Sequence, residues 1–101
     1  MTAMERQHIL ETLRSHQGEL RAAGIIHLGL FGSSARGEAS PFSDIDLIVD
    51  FDPSKRLTLV TVGSLQRRLT KMLGAEVDLS SPSWMREPVR SKAQSEAIFA
   101  F

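Results

Sequence analysis

Residues 32–51 read GSSARGEASPFSDIDLIVDF, and the two halves of this stretch obey different rules. From Asp44 onward, acidic and apolar residues alternate before giving way to an apolar run, the pattern of a strand with one face towards a core. Asp44 and Asp46 therefore project to one side, and Ile45, Leu47 and Val49 to the other. Upstream, Gly32 stops a preceding apolar run, Ser33 or Ser34 is placed to cap a short helix carrying Ala35 and Arg36, and Gly37 closes the turn. Residues 38–43, EASPFS, are small or polar and contain Pro41, as expected of a loop. Asp52-Pro53-Ser54 ends the strand.

On the N-terminal side, Thr2 and Glu5 form a capping-box pattern, and Ile9, Leu10 and Leu13 give a helix from Ala3 to about His16 one apolar face. Gly18 interrupts it, ELRAA supplies another short helical turn, and Gly24 ends that turn in a left-handed conformation. Ile25 to Phe31 is a strand in which Gly29 permits a bulge or close packing. On the C-terminal side, Leu59, Val62, Leu65, Leu69, Met72 and Leu73 fall near helical spacing and predict a helix from about Thr58 to Leu73, stopped by Gly74. Glu76 to Leu79 follows as a third strand, Ser80 to Ser83 as a loop, and Pro88 to about Phe99 as a last amphipathic helix with Val89, Ala93, Ala97 and Ile98 inward. The order α-β-α-β-α-β-α describes a small α/β sandwich with a three-stranded mixed sheet flanked by helices. The long helix makes the second and third strands parallel, and a direct return through the Ser-rich turn makes the first two antiparallel.

The 101 residues, 42% of them hydrophobic, suit a single domain over 1–101. Twelve basic and twelve acidic residues cancel, which leaves no global field to draw the chain to nucleic acid or an anionic membrane. Lys55 and Arg56 read as a solvated turn, and Arg67, Arg68 and Lys71 as the polar face of the long helix. Neither cluster is interleaved with aromatics, so no direct nucleic-acid binding is expected. The absence of cysteine excludes disulfides, zinc-thiolate clusters and a thiol nucleophile. His8, His16 and His27 lack metal-ligand spacing. With no apolar run of membrane-spanning length and no secretory leader pattern, the expectation is a soluble, cytoplasmic protein. Trp84 and Met85 are expected to pack on the core, while Phe99 and Phe101 suggest an interface.

Two carboxylates converging at a strand start are unfavourable unless a positive charge lies between them, and oxygen ligands of this kind suit magnesium, with manganese as the alternative. Gly32 lets the backbone approach a phosphate, and the amides opening the next helix can donate to phosphate oxygens. An isolated Asp-x-Asp, or an isolated Gly-Ser turn, is ordinary structure. The combination is specific, because the ten residues between Ser33 and Asp44 suffice for one helical turn and a return loop that sets the two features side by side.

The match GSSARGEASPFSDIDL resembles the nucleotidyltransferase superfamily that includes DNA polymerase β, whose pattern is Gly-Ser, about ten residues, then Asp-x-Asp at a strand start. G-S-x-A-R-G with S-D-I-D-L is similar to the minimal nucleotidyltransferases, or MNT proteins, and the resemblance runs from about Leu10 to the C-terminus. It implies the polymerase β-like fold and a third carboxylate from the next core strand, for which Val77-Asp78-Leu79 fits better than Asp50 or Asp52. By the same resemblance Asp44 and Asp46 would hold two magnesium ions, and Asp78 would complete the catalytic ion's coordination and accept the attacking hydroxyl's proton. Gly32 and Ser33, with Ser34 beside them, would hold the triphosphate of ATP. Arg36 has two readings, as a further phosphate ligand or as an ion-pair partner of Glu38 or a strand carboxylate.

Relatives acting on antibiotics, RNA or DNA add domains to hold the acceptor, and this chain has no room for one. The resemblance to antitoxin halves of HEPN/MNT pairs implies AMP transfer from ATP to a tyrosine of a partner HEPN ribonuclease toxin within a hetero-oligomer. The absence of tyrosine here excludes tyrosine self-modification. Two other functions compete: a non-catalytic antitoxin that neutralises its partner by binding, and a small-molecule nucleotidyltransferase acting as an oligomer.

Overall fold

The computed structural model describes residues 6–37 and 44–101. The Thr2–Glu5 capping pattern and the loop 38–43 lie outside the described residues. The alternation after Asp44 becomes strand β2 (Ile45–Phe51), which lies between β1 (Ile25–Leu30) and β3 (Val77–Ser80). β1 and β2 are antiparallel, and β2 and β3 are parallel. Both directions match the expectation, and a helical crossover joins the parallel pair as anticipated. Ile45, Leu47 and Val49 face one core together with Leu28 and Leu30 of β1 and Val77 and Leu79 of β3.

Two helices cover that face. Helix α1 (Arg6–Ser15) contributes Ile9, Leu10 and Leu13, and the crossover helix α4 (Leu59–Leu73) contributes Leu65, Leu69 and Leu73. Each such fully buried aliphatic side chain is worth about 1.5–3 kcal/mol of transfer free energy. Between α1 and β1 lies α2 (Gln17–Ala22). The chain breaks at His16, and Gly18 sits inside α2 rather than interrupting the helical path. Helix α3 (Gly32–Arg36) follows β1 and ends at Gly37 in the left-handed conformation. Helix α4 is capped by Thr58, whose hydroxyl accepts from the Thr61 amide, and it too ends on a left-handed glycine, Gly74. Leu59 does not join the apolar face. It is 92% exposed in the first turn, beside Val60 at 78%.

The C-terminal region departs most from expectation. After β3 comes a 3₁₀ turn (Pro82–Trp84), then α5 (Val89–Glu96), which stops before Ile98. Ile98–Phe99 forms a fourth strand, β4, antiparallel to β1, giving the sheet order β3-β2-β1-β4. The expected helix to Phe99 is therefore too long and the expected sheet one strand too small. Short apolar runs are ambiguous in periodicity, and β1 had an unpaired edge to offer. Gly29 makes the pairing feasible: a Cβ there would lie 2.7 Å from the Ile98 carbonyl oxygen and 2.8 Å from the Phe99 Cα. The bulge in β1 falls between Ile25 and His27, so Gly29 serves close packing instead. Trp84 is 53% exposed, leaning on Phe51 with ring centroids 5.9 Å apart, rather than buried in the core as expected. No helix among the described residues is long and apolar enough to cross a membrane.

The two glycines at opposite extremes of crowding give a direct test. Gly29→Ala should cost about 1–3 kcal/mol, because backbone rather than a mobile side chain must yield. Gly18→Ala, inside α2 with nothing within 4 Å of the added methyl, should gain about 0.5–1 kcal/mol. Urea unfolding of both variants reads the difference.

Candidate active site

The face of the sheet opposite the main core carries Asp46, Ile48 and Asp50 on β2 and Asp78 and Ser80 on β3. Asp46 and Asp78 are direct partners in the parallel register, which sets neighbouring strands about 4.8 Å apart. Asp44 stands exposed immediately before β2, on the same side by alternation. Of the other acidic residues considered, Asp50 sits two alternations further along, opposite His27 of β1. Asp52 is occupied by its own turn, its Oδ1 accepting from the Ser54 amide and hydroxyl.

The β1–α3 turn closes against this end of β2. Gly32 has φ +62°, and a Cβ on it would lie 3.3 Å from Asp46 Oδ2, so glycine answers both to a left-handed backbone and to the adjoining carboxylate. The N-cap of α3 is Phe31, and no side chain caps the helix. This corrects the expectation that Ser33 or Ser34 is the cap. With the helix beginning at Gly32, the two serines lie inside it and point differently. The Ser33 side chain faces the Asp46 carboxylate and favours its charged form. Ser34 is buried, and its Oγ accepts from the Asp46 amide at 3.0 Å. The Phe31 amide donates to the Asp46 carbonyl at 3.1 Å. The amides of Gly32, Ser33 and Ser34 precede the first intrahelical bond, which Ala35 donates to the Phe31 carbonyl, and these are the groups that an anion can engage.

Arg36 forms an ion pair with Glu96 of α5, Nη1 to Oε2 at 2.9 Å. Its charge also acts on Asp46. Glu38, the partner considered from sequence, lies outside the described residues. The Arg36–Glu96 pair ties α3 to α5 across sixty positions of chain, a separation at which no local pattern signals a contact. Two more supporting residues escaped the sequence reading: Thr70 Oγ1 and Gln66 Oε1 of α4 accept from the outward amides of Val77 and Leu79 at 3.2 and 3.4 Å. Together they hold the outer edge of β3 on either side of Asp78.

Electrostatics single out Asp46. Burial, then the negative charges of Asp78 and Asp44, push its carboxyl above the ordinary range, against the Ser33 hydrogen bond and the Arg36 charge. The site therefore holds more negative charge than its own cations balance. Hard oxygen donors with unbalanced negative charge fit a divalent cation such as magnesium. Among the described residues no three carboxylate or imidazole side chains converge as a ready-made cation cage. Magnesium suits such an open arrangement, because it commonly takes one or two carboxylates, keeps several waters and shares phosphate oxygens of a substrate.

The sign of the Asp46 shift fixes a measurable consequence. A raised carboxyl pKa means that the folded state binds the proton more tightly than the unfolded chain. Asp46 then costs no stability below its unfolded pKa, and the cost grows as pH rises through its folded pKa. In metal-free buffer Asp46→Asn should melt higher than the parent at pH 7, and the difference should vanish as pH falls towards the ordinary aspartate range, about 3.9. Thermal melts across pH in chelator check this, and a lower melting temperature for the variant at pH 7 would contradict it.

Comparison with known proteins agrees with this geometry. The nucleotidyltransferase domain model matches residues 8–100. The protein adenylyltransferase MntA of Thermococcus cleftensis is 32% identical over 98% of this chain and 99% of its own. A solved structure reported as a minimal nucleotidyltransferase superposes with a TM-score of 0.80 at 30% identity, covering 94% of this chain and 95% of that one. A chain from the complex of a tri-AMPylated Shewanella oneidensis HEPN toxin with an MNT antitoxin shares the fold, with a TM-score of 0.63 at 18% identity over 91% of this chain and 71% of that chain. With a glycine turn closed on paired strand carboxylates and similarity along its whole described length, the chain belongs to the nucleotidyltransferase domain family, among its minimal members.

Proposed function

We propose that this single-domain chain is the antitoxin of a toxin–antitoxin pair and transfers AMP from ATP to a tyrosine hydroxyl of a HEPN ribonuclease toxin, held with it in a hetero-oligomer. The observation that carries the reading is the pairing of Asp46 with Asp78 beside the Gly32 turn, on a chain that aligns with a protein adenylyltransferase over nearly all of both lengths. The described core is one cluster under one face of the sheet, and the acceptor in this reading comes from another molecule. Exposed Leu59, Val60, Trp84 and Val89 give the surface apolar groups that a protein partner can cover.

In this reaction the acceptor oxygen attacks the α-phosphorus of ATP, the bond from that phosphorus to the bridging oxygen breaks, and pyrophosphate leaves. Gly32 lets the backbone come close to the triphosphate, and the α3 amides with Ser33 bind it. Arg36, already paired with Glu96, adds positive charge on the same side. Asp44, Asp46 and Asp78 would hold two magnesium ions. Bound there, magnesium polarises the phosphate and stabilises charge on the entering and leaving oxygens. Asp78 is exposed, so its carboxylate is accessible to an incoming hydroxyl and takes the proton that the hydroxyl loses.

The test is transfer of label from α-labelled ATP to the product of the neighbouring gene, with magnesium present. The parent should label it, the Asp44→Ala, Asp46→Ala protein should not, and replacing the acceptor tyrosine by phenylalanine should remove the signal. Absence of labelling by the parent overturns the reading. Full neutralisation of the toxin by the double variant would instead favour an antitoxin that works by occlusion.

A further inference from the structure

β1 pairs with β2 only as far as Leu30 opposite Leu47. Two residues beyond, the chain turns at Gly32 into α3, and the regular ladder that would hold the backbone of Asp46 runs out. The carbonyl of Asp46 is still met by the Phe31 amide at 3.1 Å. Its amide is met by a side chain, Ser34 Oγ, at 3.0 Å. Ser34 is only 4% exposed, so its hydroxyl is enclosed within the turn instead of facing the surface where a triphosphate would lie.

The geometry points to Ser34 as a positioning residue that extends the β1 ladder by one hydrogen bond and fixes Asp46 where its carboxylate stands beside Asp78 and against Gly32. It touches no substrate. The catalytic consequence rests on the transferase reading above, whereas the structural consequence, a pinned Asp46 amide, does not. Alanine at this position suits the helix equally well but leaves a buried N–H without a partner. Threonine keeps the accepting oxygen. An analogous supporting shell around metal-ligating groups typically changes metal affinity or activity about 10–100-fold when removed.

The experiment compares the parent with Ser34→Ala, Ser34→Thr and Ser34→Cys, the last nearly isosteric with serine but a poorer acceptor, which carries the comparison if the alanine protein does not fold. Leu13→Ala, in the core on the opposite side of the sheet, controls for general loss of stability. Amide exchange followed by NMR should show the Asp46 N–H exchanging about tenfold faster in Ser34→Ala and Ser34→Cys than in the parent, with Leu47 and Ile48 little changed. Manganese binding to the protein alone, read by electron paramagnetic resonance, should weaken about tenfold. In AMP transfer, kcat should fall about tenfold with KM for ATP within about twofold, and Ser34→Thr should restore both. A raised KM with unchanged kcat would make Ser34 a nucleotide ligand and overturn the proposal. Unchanged Asp46 exchange, or an equal loss of kcat in Leu13→Ala assayed below its melting temperature, would overturn it as well. If the parent itself transfers no AMP, the transferase reading fails, while exchange and manganese binding still decide the role of Ser34.

Discussion

Two carboxylates on adjacent strands repel, and this fold compels them to be neighbours. The compulsion comes from the other face of the sheet, where Ile45 partners Val77 and Leu47 partners Leu79. All four are buried. Each contributes about 1.5–3 kcal/mol by leaving water, whereas two unit charges 4 Å apart in water repel by only about 1 kcal/mol. A slip of one residue would turn Asp46 or Asp78 into the core and an aliphatic side chain out of it. Charge crowding is thus a by-product of core packing, and the α4 crossover, the α3 turn and the cap on the β3 edge all serve a register that the core has already chosen.

Much of this was legible in the chain. The alternation from Asp44 to Val49 separates the acidic from the apolar face because strand side chains have a period of two. Gly32, Gly37 and Gly74 mark turns because their backbones adopt positive φ. Local rules reach only as far as local spacing, however. That Asp78 stands opposite Asp46 is set by which aliphatic residues of β2 and β3 meet in the core, and that Arg36 meets Glu96 is set by the packing of α5 on α3. β4, two residues long, is too short for any periodicity, and it exists because the Gly29 backbone leaves room for it. The inward turn of Ser34 depends on a helix that begins at Gly32 instead of after a serine cap, at least two residues earlier than the serines alone suggest.

The support of the site is correspondingly indirect. Asp46 is fixed through its amide and carbonyl as much as through its carboxylate, and Asp78 through a strand whose outer amides rest on Gln66 and Thr70. The carboxylates themselves remain on the open side of the sheet, as the proposed sharing of a cation with a substrate's phosphates requires. Rigidity in the backbone and accessibility in the side chains are separate properties, and here different elements supply them.

The covering of the β3 edge also governs how the molecule meets others. With Val77 and Leu79 already hydrogen-bonded to α4, and the opposite side of the sheet ending in the two-residue β4, the described sheet offers little exposed backbone for another chain to copy. Association is left to side chains such as Leu59, Val60 and Trp84. Recognition written in side chains can be altered one position at a time without disturbing the sheet that carries the carboxylates.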